Sequence, residues 1–283
     1  MAAMIVRELL RARPDSDDPL ARHATDSHPG VKDKKKAAAA EITDGERLAA
    51  LQERLFAEDQ RMLLVILQGI DTSGKDGTIK HVIGDVNPLG CTITAFKKPT
   101  PEEAKHHFLW RIRRALPEPG QIGVFGRSHY EDVIVPRVHG GLSDRDIDKR
   151  YADIAKFEAG LVEGSTTVVK CFLHIGFEEQ RRRLLDRLDN PDKRWKFNEG
   201  DVDERELWPQ YQDTFREVIR RSSYDIAPWY VIPADRKWYR NWAVGRILLE
   251  TLTEMAPEYP RPALDIPALK GRLTGRPHLH AVK

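Results

Sequence analysis

The sequence of 283 residues has few cysteines, no long apolar run and almost no net charge. Its two cysteines, Cys91 and Cys171, are too few and too far apart for a disulfide framework or a zinc site, so we expect free structural thiols. No stretch approaches the roughly 18 apolar residues that a membrane helix needs, and the N-terminus has no apolar segment of signal-peptide length. We therefore expect a cytoplasmic protein that folds without disulfides or a structural zinc ion.

The charged residues nearly cancel, because 46 Lys and Arg side chains face 44 Asp and Glu side chains and leave a formal charge of +2. A protein of this balance is not strongly cationic as a whole. Any basic binding site must therefore come from local clustering of Lys and Arg along the chain.

Short apolar runs recur along the sequence, with helical patterns between most of them. The runs cover residues 62–68, 91–96, 121–125, 166–175 and 228–233. Continuous Val, Ile and Leu runs separated by helices predict buried parallel strands. The expected fold class is α/β, a three-layer α/β/α sandwich around a central parallel five-stranded sheet.

The two ends of the chain depart from this pattern. Residues 1–40 are polar and show no sustained period, which predicts a flexible N-terminal arm. An amphipathic helix is expected from Glu41 and leads into the first strand. Residues 256–283 are rich in proline, which predicts an extended C-terminal tail. The folded domain is therefore expected at residues 41–255.

A phosphate-binding loop is predicted at GIDTSGKD, which begins at Gly69. It fits the pattern G-x-x-x-x-G-K-[ST] except that Asp76 replaces the final hydroxyl. It follows an apolar run and precedes a helical pattern, the context that a P-loop requires. Backbone N–H groups of such a loop face phosphate oxygens, and the lysine adds a positive charge. The expected phosphate-binding residues are Gly69, Ser73, Gly74, Lys75, Asp76 and Gly77.

A second acid, Asp71, lies inside this loop. Asp residues often form turns by bonding their own backbone, which is the simpler interpretation. However, a carboxylate among N–H groups built for an anion would repel the ligand unless a cation separates them or it takes up a proton. We therefore favour a metal-binding or acceptor-positioning role for Asp71, and we interpret Asp76 as an acid favoured by the helix dipole.

A second motif, GRSHYEDV, follows the third apolar run. Its Arg127 lies at the end of a strand, where α/β sheets bind ligands, and its planar guanidinium suits phosphate. Asp132 is interpreted either as an acid in the first turn of a helix or as a partner of Asp71 about one Mg²⁺. His129 is expected to form a hydrogen bond in the wall of the site.

The charged stretch at about 177–222 predicts a lid over the site. It contains two helical patterns, about 177–189 and 201–222, joined by an exposed basic turn. Arg183 and Arg187 share one face of the first helix. The candidate lid cations are Arg181, Arg182, Arg183, Arg187, Lys193, Arg194 and Lys196. Surface ion pairs with nearby glutamates are the alternative, although an exposed pair contributes only about 0–1 kcal/mol.

Further basic residues follow the second apolar run and lie in the helical pattern after it. Lys97 and Lys98 come directly after a strand, so they are expected near the ligand-binding edge of the sheet. We assign nucleotide binding to Lys97, Lys98, Arg111 and Glu131. Several basic segments that converge on one P-loop predict more than three phosphates in the ligand.

Several sequence blocks together resemble the polyphosphate kinase 2 family. The blocks are LQGIDTSGKDGTIKHV, VNPLGCTITAFKKPT, FLWRIRRALPEPGQIGVFGRSHYEDV, DKRWKF and APWYVIPADRKWYRNW, and they occur in the family's order and with similar spacing. The match covers roughly residues 45–255. RSHYEDV is similar to the subgroup called class III, which phosphorylates nucleoside mono- and diphosphates.

The resemblance implies a P-loop kinase-like fold with a helical lid, and reversible phosphoryl transfer between inorganic polyphosphate and adenine or guanine nucleotides. It implies Mg²⁺ as the cofactor, with Mn²⁺ as an alternative. It also implies catalytic roles for Asp71, Lys75, Arg127 and Asp132, with Asp71 and Asp132 as the metal ligands. Gly126 departs from many members, which have Asn or Asp there, and this shifts more of the metal role onto Asp132.

Other functions remain compatible with the residues alone. An ATP-dependent nucleoside monophosphate kinase would share the P-loop and the basic lid, and a non-catalytic polyanion-binding protein would share the cations. We also expect a homo-oligomer, a dimer or a tetramer, that binds no specific nucleic acid and no membrane.

Overall fold

The computed structural model describes residues 5–84 and 86–274. The strands are β1 (Met62–Gln68), β2 (Cys91–Ala95), β3 (Ile122–Gly126), β4 (Thr166–His174) and β5 (Trp229–Pro233). The helices are α1 (Val6–Leu10), α2 (Lys34–Glu58), α3 (Lys75–Val82), α4 (Leu109–Arg114), α5 (Glu131–His139), α6 (Asp144–Glu163), α7 (Phe177–Asp189), α8 (Gly200–Glu206), α9 (Trp208–Ser222), α10 (Lys237–Met255) and α11 (Ile266–Thr274). Short 3₁₀ turns lie at Pro88–Gly90, Glu103–Lys105 and Pro191–Lys196.

The strands form one parallel five-stranded sheet in the order β2-β3-β1-β4-β5. Val65 in β1 pairs with Val124 in β3 on one side and with Val169 in β4 on the other. Helices α2, α3 and α10 pack together on one face of the sheet, and α5, α6 and α9 pack together on the other. The predicted α/β/α sandwich is therefore confirmed.

The central strands are buried on both faces, which explains why their sequences are continuous apolar runs. The side chains of β1 from Leu63 to Leu67 are at most 2% exposed. Because all strands run parallel, their carboxyl ends lie along one edge of the sheet, and the loops after them meet there. Both cysteines are free, as expected, and burial raises the pKa of Cys91 to about 11.

The N-terminal segment packs on the domain and is not a loose arm. Leu10 and Leu20 are buried, and the N–H of Ala12 donates to the carbonyl of Trp229 at 2.8 Å. Residues 5–33 thereby cover the β5 edge of the sheet. The prediction failed because single apolar residues spaced along a polar segment show no period, although Val6, Leu10, Ala12 and Leu20 insert into the core.

Helix boundaries differ from the predictions at two places. Helix α2 begins at Lys34, seven residues before Glu41, because the Asp33 side chain accepts the N–H of Lys36 at 2.8 Å and alanines extend the helix. The second lid helix is divided into α8 and α9 beside Pro209, which lacks the N–H that a continuous helix would use there.

The C-terminal segment is only partly extended. Residues 256–265 have no regular secondary structure, but α11 follows them and is exposed along its length. The N–H of Ala268 donates to the Asp265 carboxylate at 3.0 Å and starts this helix. The rest of the predicted tail lies outside the described residues. Within the described ranges, no helix is both long and apolar enough to cross a membrane.

Candidate active site

A cleft of about 480 Å³ lies at the carboxyl edge of the sheet. Its wall among the described residues contains nine Lys or Arg side chains and three aspartates. The cations are Lys75, Lys97, Arg127, Arg183, Arg187, Lys193, Lys196, Lys237 and Arg240, and the acids are Asp71, Asp76 and Asp186. A concave site with this excess of cations attracts a ligand of several negative charges.

The predicted P-loop connects β1 to α3. Gly69 and Gly74 have φ angles of +152° and +104°, which favour glycine, and Thr72 also has a left-handed φ of +65°. The Lys75 ammonium turns back over the loop and donates to the Gly69 carbonyl at 2.7 Å. Helix α3 begins at Lys75, so its free N–H groups point into the cleft with the lysine.

Asp71 and Arg127 meet across the cleft. A nitrogen of the Arg127 guanidinium lies 2.7 Å from the Asp71 carboxylate. Burial raises the pKa of Asp71, but the charges of Lys75 and Arg127 outweigh it and hold that pKa below the usual value. Asp71 is therefore an ionised carboxylate inside the predicted phosphate-binding loop.

Arg127 itself has a constrained backbone. Strand β3 ends at Gly126, and Arg127 follows with a φ of +66°, which is uncommon for a residue with a side chain. Its N–H donates to the carbonyl of Leu67 at 3.0 Å, which fixes the loop against the end of β1. Strained backbone held in this way is typical of functional sites.

Glu131, and not Asp132, lies beside Asp71. Glu131 lines a small cavity of about 40 Å³ together with Asp71 and Arg127, and it accepts a hydrogen bond from the amide of Gln68. Burial is the main cause that raises the pKa of Glu131, although Arg127 opposes the shift. The sequence predicts Glu131 only as a nucleotide-binding residue, not as a neighbour of Asp71.

The predicted pairing of Asp71 with Asp132 needs correction. The Asp132 carboxylate accepts from Arg111 at 3.4 Å and lies 3.8 Å from the Arg150 guanidinium, and it does not line the cleft. Helix α5 begins at Glu131, and successive residues of an α-helix point about 100° apart. The two neighbouring acids therefore face different surroundings, and Asp132 organises arginines behind the site.

Buried polar residues hold the loop between Arg127 and α5. The Tyr130 hydroxyl donates to Glu158 at 2.8 Å, and the Lys170 ammonium donates to the other oxygen of Glu158 at 2.6 Å. His129 bonds the same carboxylate at 3.1 Å, and all four residues are 0% exposed. His129 is thus part of an internal network and not of the site wall, where it was expected.

The residues assigned to the nucleotide separate into two groups. Lys97 lines the cleft, and its carbonyl accepts from the buried Arg111 at 2.7 Å. Arg111 therefore supports the segment that carries Lys97, and its side chain does not enter the cleft. Lys98 is exposed and lies outside the cleft wall.

Most of the predicted lid cations reach the cleft. Arg187, Lys193 and Lys196 line it, whereas the Arg194 side chain donates to the carbonyl of Leu188 at 2.8 Å and lies outside it. Arg187 pairs with Asp201 at 3.2 Å. The lid cation Arg187 thus lines the cleft while it is paired with an acid of the lid itself.

The remaining loop residues lie at different depths around the cleft. Asp76 and Gly77 line the cleft, as Lys75 does. Gly69 lies behind it in the small cavity that contains Asp71. Ser73 is 0% exposed and supports the loop from within.

Lys237 and Arg240 were missed as site residues, whereas Arg183 belongs to the predicted lid cations and lines the cleft with them. Arg183 ties the lid to the P-loop, because its guanidinium donates to the carbonyls of Thr72 at 2.8 Å and Ser73 at 3.0 Å. Lys237 and Arg240 lie one turn apart on α10. The signal was present, since KWYR follows the last strand and the carboxyl ends of parallel strands share one edge.

The carboxylates of the site do not form a cage for a metal ion. Among residues 5–84 and 86–274, no group of three or more His, Cys, Asp or Glu side chains is arranged to hold one. Mg²⁺ does not require such a cage, because it is commonly held by one or two carboxylates together with substrate phosphates and water. The ionised Asp71 fits that use.

Proteins of one known family match this chain over most of its length. The profile of the polyphosphate kinase 2 family matches residues 31–260. The chain is 46% identical over 253 residues to the AMP/ADP-polyphosphate phosphotransferase of Meiothermus ruber, and the alignment covers 89% of this chain and 95% of that protein. It is 40% identical over 230 residues to the ADP-polyphosphate phosphotransferase of Rhodopseudomonas palustris, with 77% and 80% covered.

A solved structure shares the whole architecture. The crystal structure of polyphosphate kinase 2 from Arthrobacter aurescens TC1 superposes with a TM-score of 0.92 at 42% identity. The superposition covers 96% of this chain and 97% of that one.

Proposed function

The chain belongs to the polyphosphate kinase 2 family, and from that premise we propose that it catalyses Mg²⁺-dependent, reversible transfer of a phosphoryl group between inorganic polyphosphate and AMP or ADP. It is a phosphotransferase, as its relatives are. The observation that carries the choice of donor is the cleft itself, in which nine cations surround one P-loop. A chain of many phosphates can engage this number of cations, whereas the three phosphates of ATP, the alternative donor, need fewer.

The reaction requires no strong general base from the protein. The acceptor is a phosphate oxygen of AMP or ADP, which is largely deprotonated near neutral pH. In-line transfer then depends on positioning and on neutralisation of charge on the transferred group. Lys75 and the N–H groups of the P-loop would hold the transferred phosphoryl group, and Arg127 would lie beside the oxygens that gain charge.

Asp71 is the residue that would hold Mg²⁺. Its carboxylate is ionised and lies in the phosphate loop, so phosphate oxygens and water would supply the other ligands. When bound, the metal ion would neutralise phosphate charge. Asp132 has no such support, because it does not line the cleft. Mn²⁺ has the same preference for oxygen ligands and is the alternative ion.

The lid cations would bind the polyphosphate chain away from the reacting group. Arg187, Lys193 and Lys196 line the cleft from one side, and Lys97 lines it from another. We propose that Lys97 contacts the acceptor nucleotide, since it follows β2 at the opposite end of the cleft wall from the lid. The homo-oligomeric state and the cytoplasmic location stay predictions.

One assay tests the proposal directly. Purified protein would be incubated with Mg²⁺, medium-chain polyphosphate and either AMP or ADP, and nucleotides would be separated by chromatography. We expect ADP and ATP to form from AMP, and ATP to form from ADP, without any ATP added. Turnover of ATP with AMP but no turnover of polyphosphate would instead identify an ATP-dependent nucleoside monophosphate kinase.

A further inference from the structure

Arg240 is a buried cation in the cleft wall without a carboxylate partner among the described residues. It is 3% exposed and lies on α10 directly against the P-loop. Its Nη1 donates to the Ser73 carbonyl at 3.3 Å, and its Nε and Nη2 donate to the Asn241 side-chain oxygen at 3.1 and 2.8 Å. All three contacts are to neutral oxygens, so the positive charge is not balanced by the protein around it.

Arg183 lies close by, but unlike Arg240 it is paired with a carboxylate. It is 6% exposed, but its Nε donates to the Glu179 carboxylate at 2.6 Å. Its other N–H groups donate to the carbonyls of Thr72, Ser73, Ala234 and Asp235. A guanidinium has five N–H donors, so those of Arg183 are fully used and its charge is paired.

Arg240, by the same count, uses three of its donors and leaves two for another partner. Burial, with Arg183 as the second cause, lowers the pKa of Arg240 to about 10, so it stays charged at neutral pH. A buried charge without a partner is unfavourable, and proteins retain one where a ligand supplies the opposite charge.

The P-loop is shaped to admit this side chain. A Cβ on Gly74 would lie 1.7 Å from Nη1 of Arg240, so any side chain there would displace the guanidinium. Lys237 lies one turn earlier on α10 and lines the same part of the cleft. Gly74 therefore serves the contact with Arg240 as well as the turn of the loop.

We propose that Arg240 binds a phosphate of the polyphosphate donor at the P-loop, with Asn241 as the positioning residue that orients its guanidinium. The proposal rests on the proposed function, because it names polyphosphate as the anion that balances this charge. The donor chain would then extend from the P-loop between α10 and the lid, where Lys237 and Lys193 also line the cleft. The acceptor would occupy the Lys97 side.

The test compares Arg240→Met with Arg246→Met. Arg246 lies on the same helix, but it pairs with Asp44 at 2.9 Å and does not line the cleft. For each variant, the Kd of medium-chain polyphosphate would be measured by calorimetry, the KM of AMP and kcat by assay, and Tm with and without polyphosphate.

We expect Arg240→Met to raise the Kd of polyphosphate about tenfold or more and to leave the KM of AMP within about twofold. The Tm without ligand should not fall, because the substitution removes an unpaired buried charge. The rise of Tm on adding polyphosphate should shrink. Arg246→Met should show the reverse, a lower Tm and an unchanged Kd. Asn241→Ala should weaken polyphosphate binding less than Arg240→Met does.

An unchanged Kd in Arg240→Met would overturn the proposal, whatever its Tm. A variant that fails to fold, or whose Tm without ligand falls as far as that of Arg246→Met, would also count against it, because Arg240 would then stabilise the loop itself. If the wild type bound ATP but not polyphosphate, the proposed function would fail, and the same titrations with ATP would still decide the role of Arg240.

Discussion

The loop after β3 and the lid both bring cations to the cleft, but they hold them differently. Behind Arg127, the residues Tyr130, Glu158 and Lys170 are 0% exposed and bonded to one another. In the lid, Lys193 pairs with Asp186 while both side chains are more than 40% exposed. The first arrangement fixes a geometry in the interior, whereas the second can exchange one partner for another at little cost.

This difference suits two tasks. The reacting phosphoryl group needs donors that are already in place, because rearrangement during the reaction would raise the barrier. A polymer chain of variable length needs cations that can leave their carboxylates as phosphates arrive. The comparison predicts that changes on the loop side affect kcat and stability, and that changes on the lid affect affinity.

The largest effect is expected from Asp71→Asn. Loss of this charge should lower kcat about 10²- to 10³-fold, because the ionised carboxylate in the phosphate loop is removed. Turnover with polyphosphate and AMP at saturating Mg²⁺ measures it. The matched control is Asp225→Asn, which breaks an exposed Arg–Asp pair of the same 2.7 Å length outside the cleft. Near-wild-type turnover in Asp71→Asn would remove the metal assignment.

The second prediction compares two Lys–carboxylate pairs. Lys170→Met leaves Glu158 charged, buried and without its cation, so the free energy of unfolding should fall by about 3–5 kcal/mol. Lys193→Met breaks an exposed pair of similar length and should change it by less than about 1 kcal/mol. Urea denaturation measures both. Equal losses in the two variants would erase the distinction between loop and lid.

The third prediction concerns the lid alone. Replacing Lys193 and Lys196 together by alanine should raise the KM of polyphosphate about fivefold and change kcat less, because long-range attraction is lost while the reacting group keeps its contacts. The effect should shrink at high salt, which screens exposed charges. The KM of AMP serves as the internal control, and an equal rise in both KM values would argue against a donor site under the lid.

The fourth prediction concerns the pH dependence of stability at the end of β4, where the lid begins. Burial lowers the pKa of His174 to about 4. The negative charge of Asp235 partly opposes this shift, and the positive charge of Arg216 adds to it. A histidine in the unfolded chain has a pKa of about 6.5. Between this pH and the lower pKa of His174, the unfolded chain therefore binds more protons than the folded chain does. His174 therefore contributes stability above about pH 6.5, and that stability is lost as the pH falls toward 4.

Thermal unfolding of the wild type and of His174→Gln across this range measures the loss. The wild type should lose more Tm between pH 7 and pH 5 than the variant does, since glutamine takes up no proton. Parallel pH profiles would show that His174 does not contribute.

The sequence identified the sheet and the P-loop because each has a local signal. Continuous apolar runs mark the central strands, and the glycines and lysine of GIDTSGKD mark the loop. It did not predict the packing of residues 5–33, because isolated residues such as Leu10 and Leu20 become core only when the edge of β5 is present. The resemblance implied the metal pair of Asp71 and Asp132, but spacing along the chain does not show that Glu131 shares a small cavity with Asp71 whereas Asp132 contacts Arg111.

The sequence by itself determined the fold class and the family, because periodicity and motif are properties of neighbouring residues, and it supplied the cations from which the cleft is built. Only the tertiary structure decided which of those cations share one cleft and which already have partners. Nothing in the sequence distinguishes the environment of Arg183 from that of Arg240. In the structure, Arg183 is paired with Glu179, whereas Arg240 has no carboxylate beside it in the described chain. Charge balance is set by residues that are distant along the chain and close in space, and folding is what brings them together.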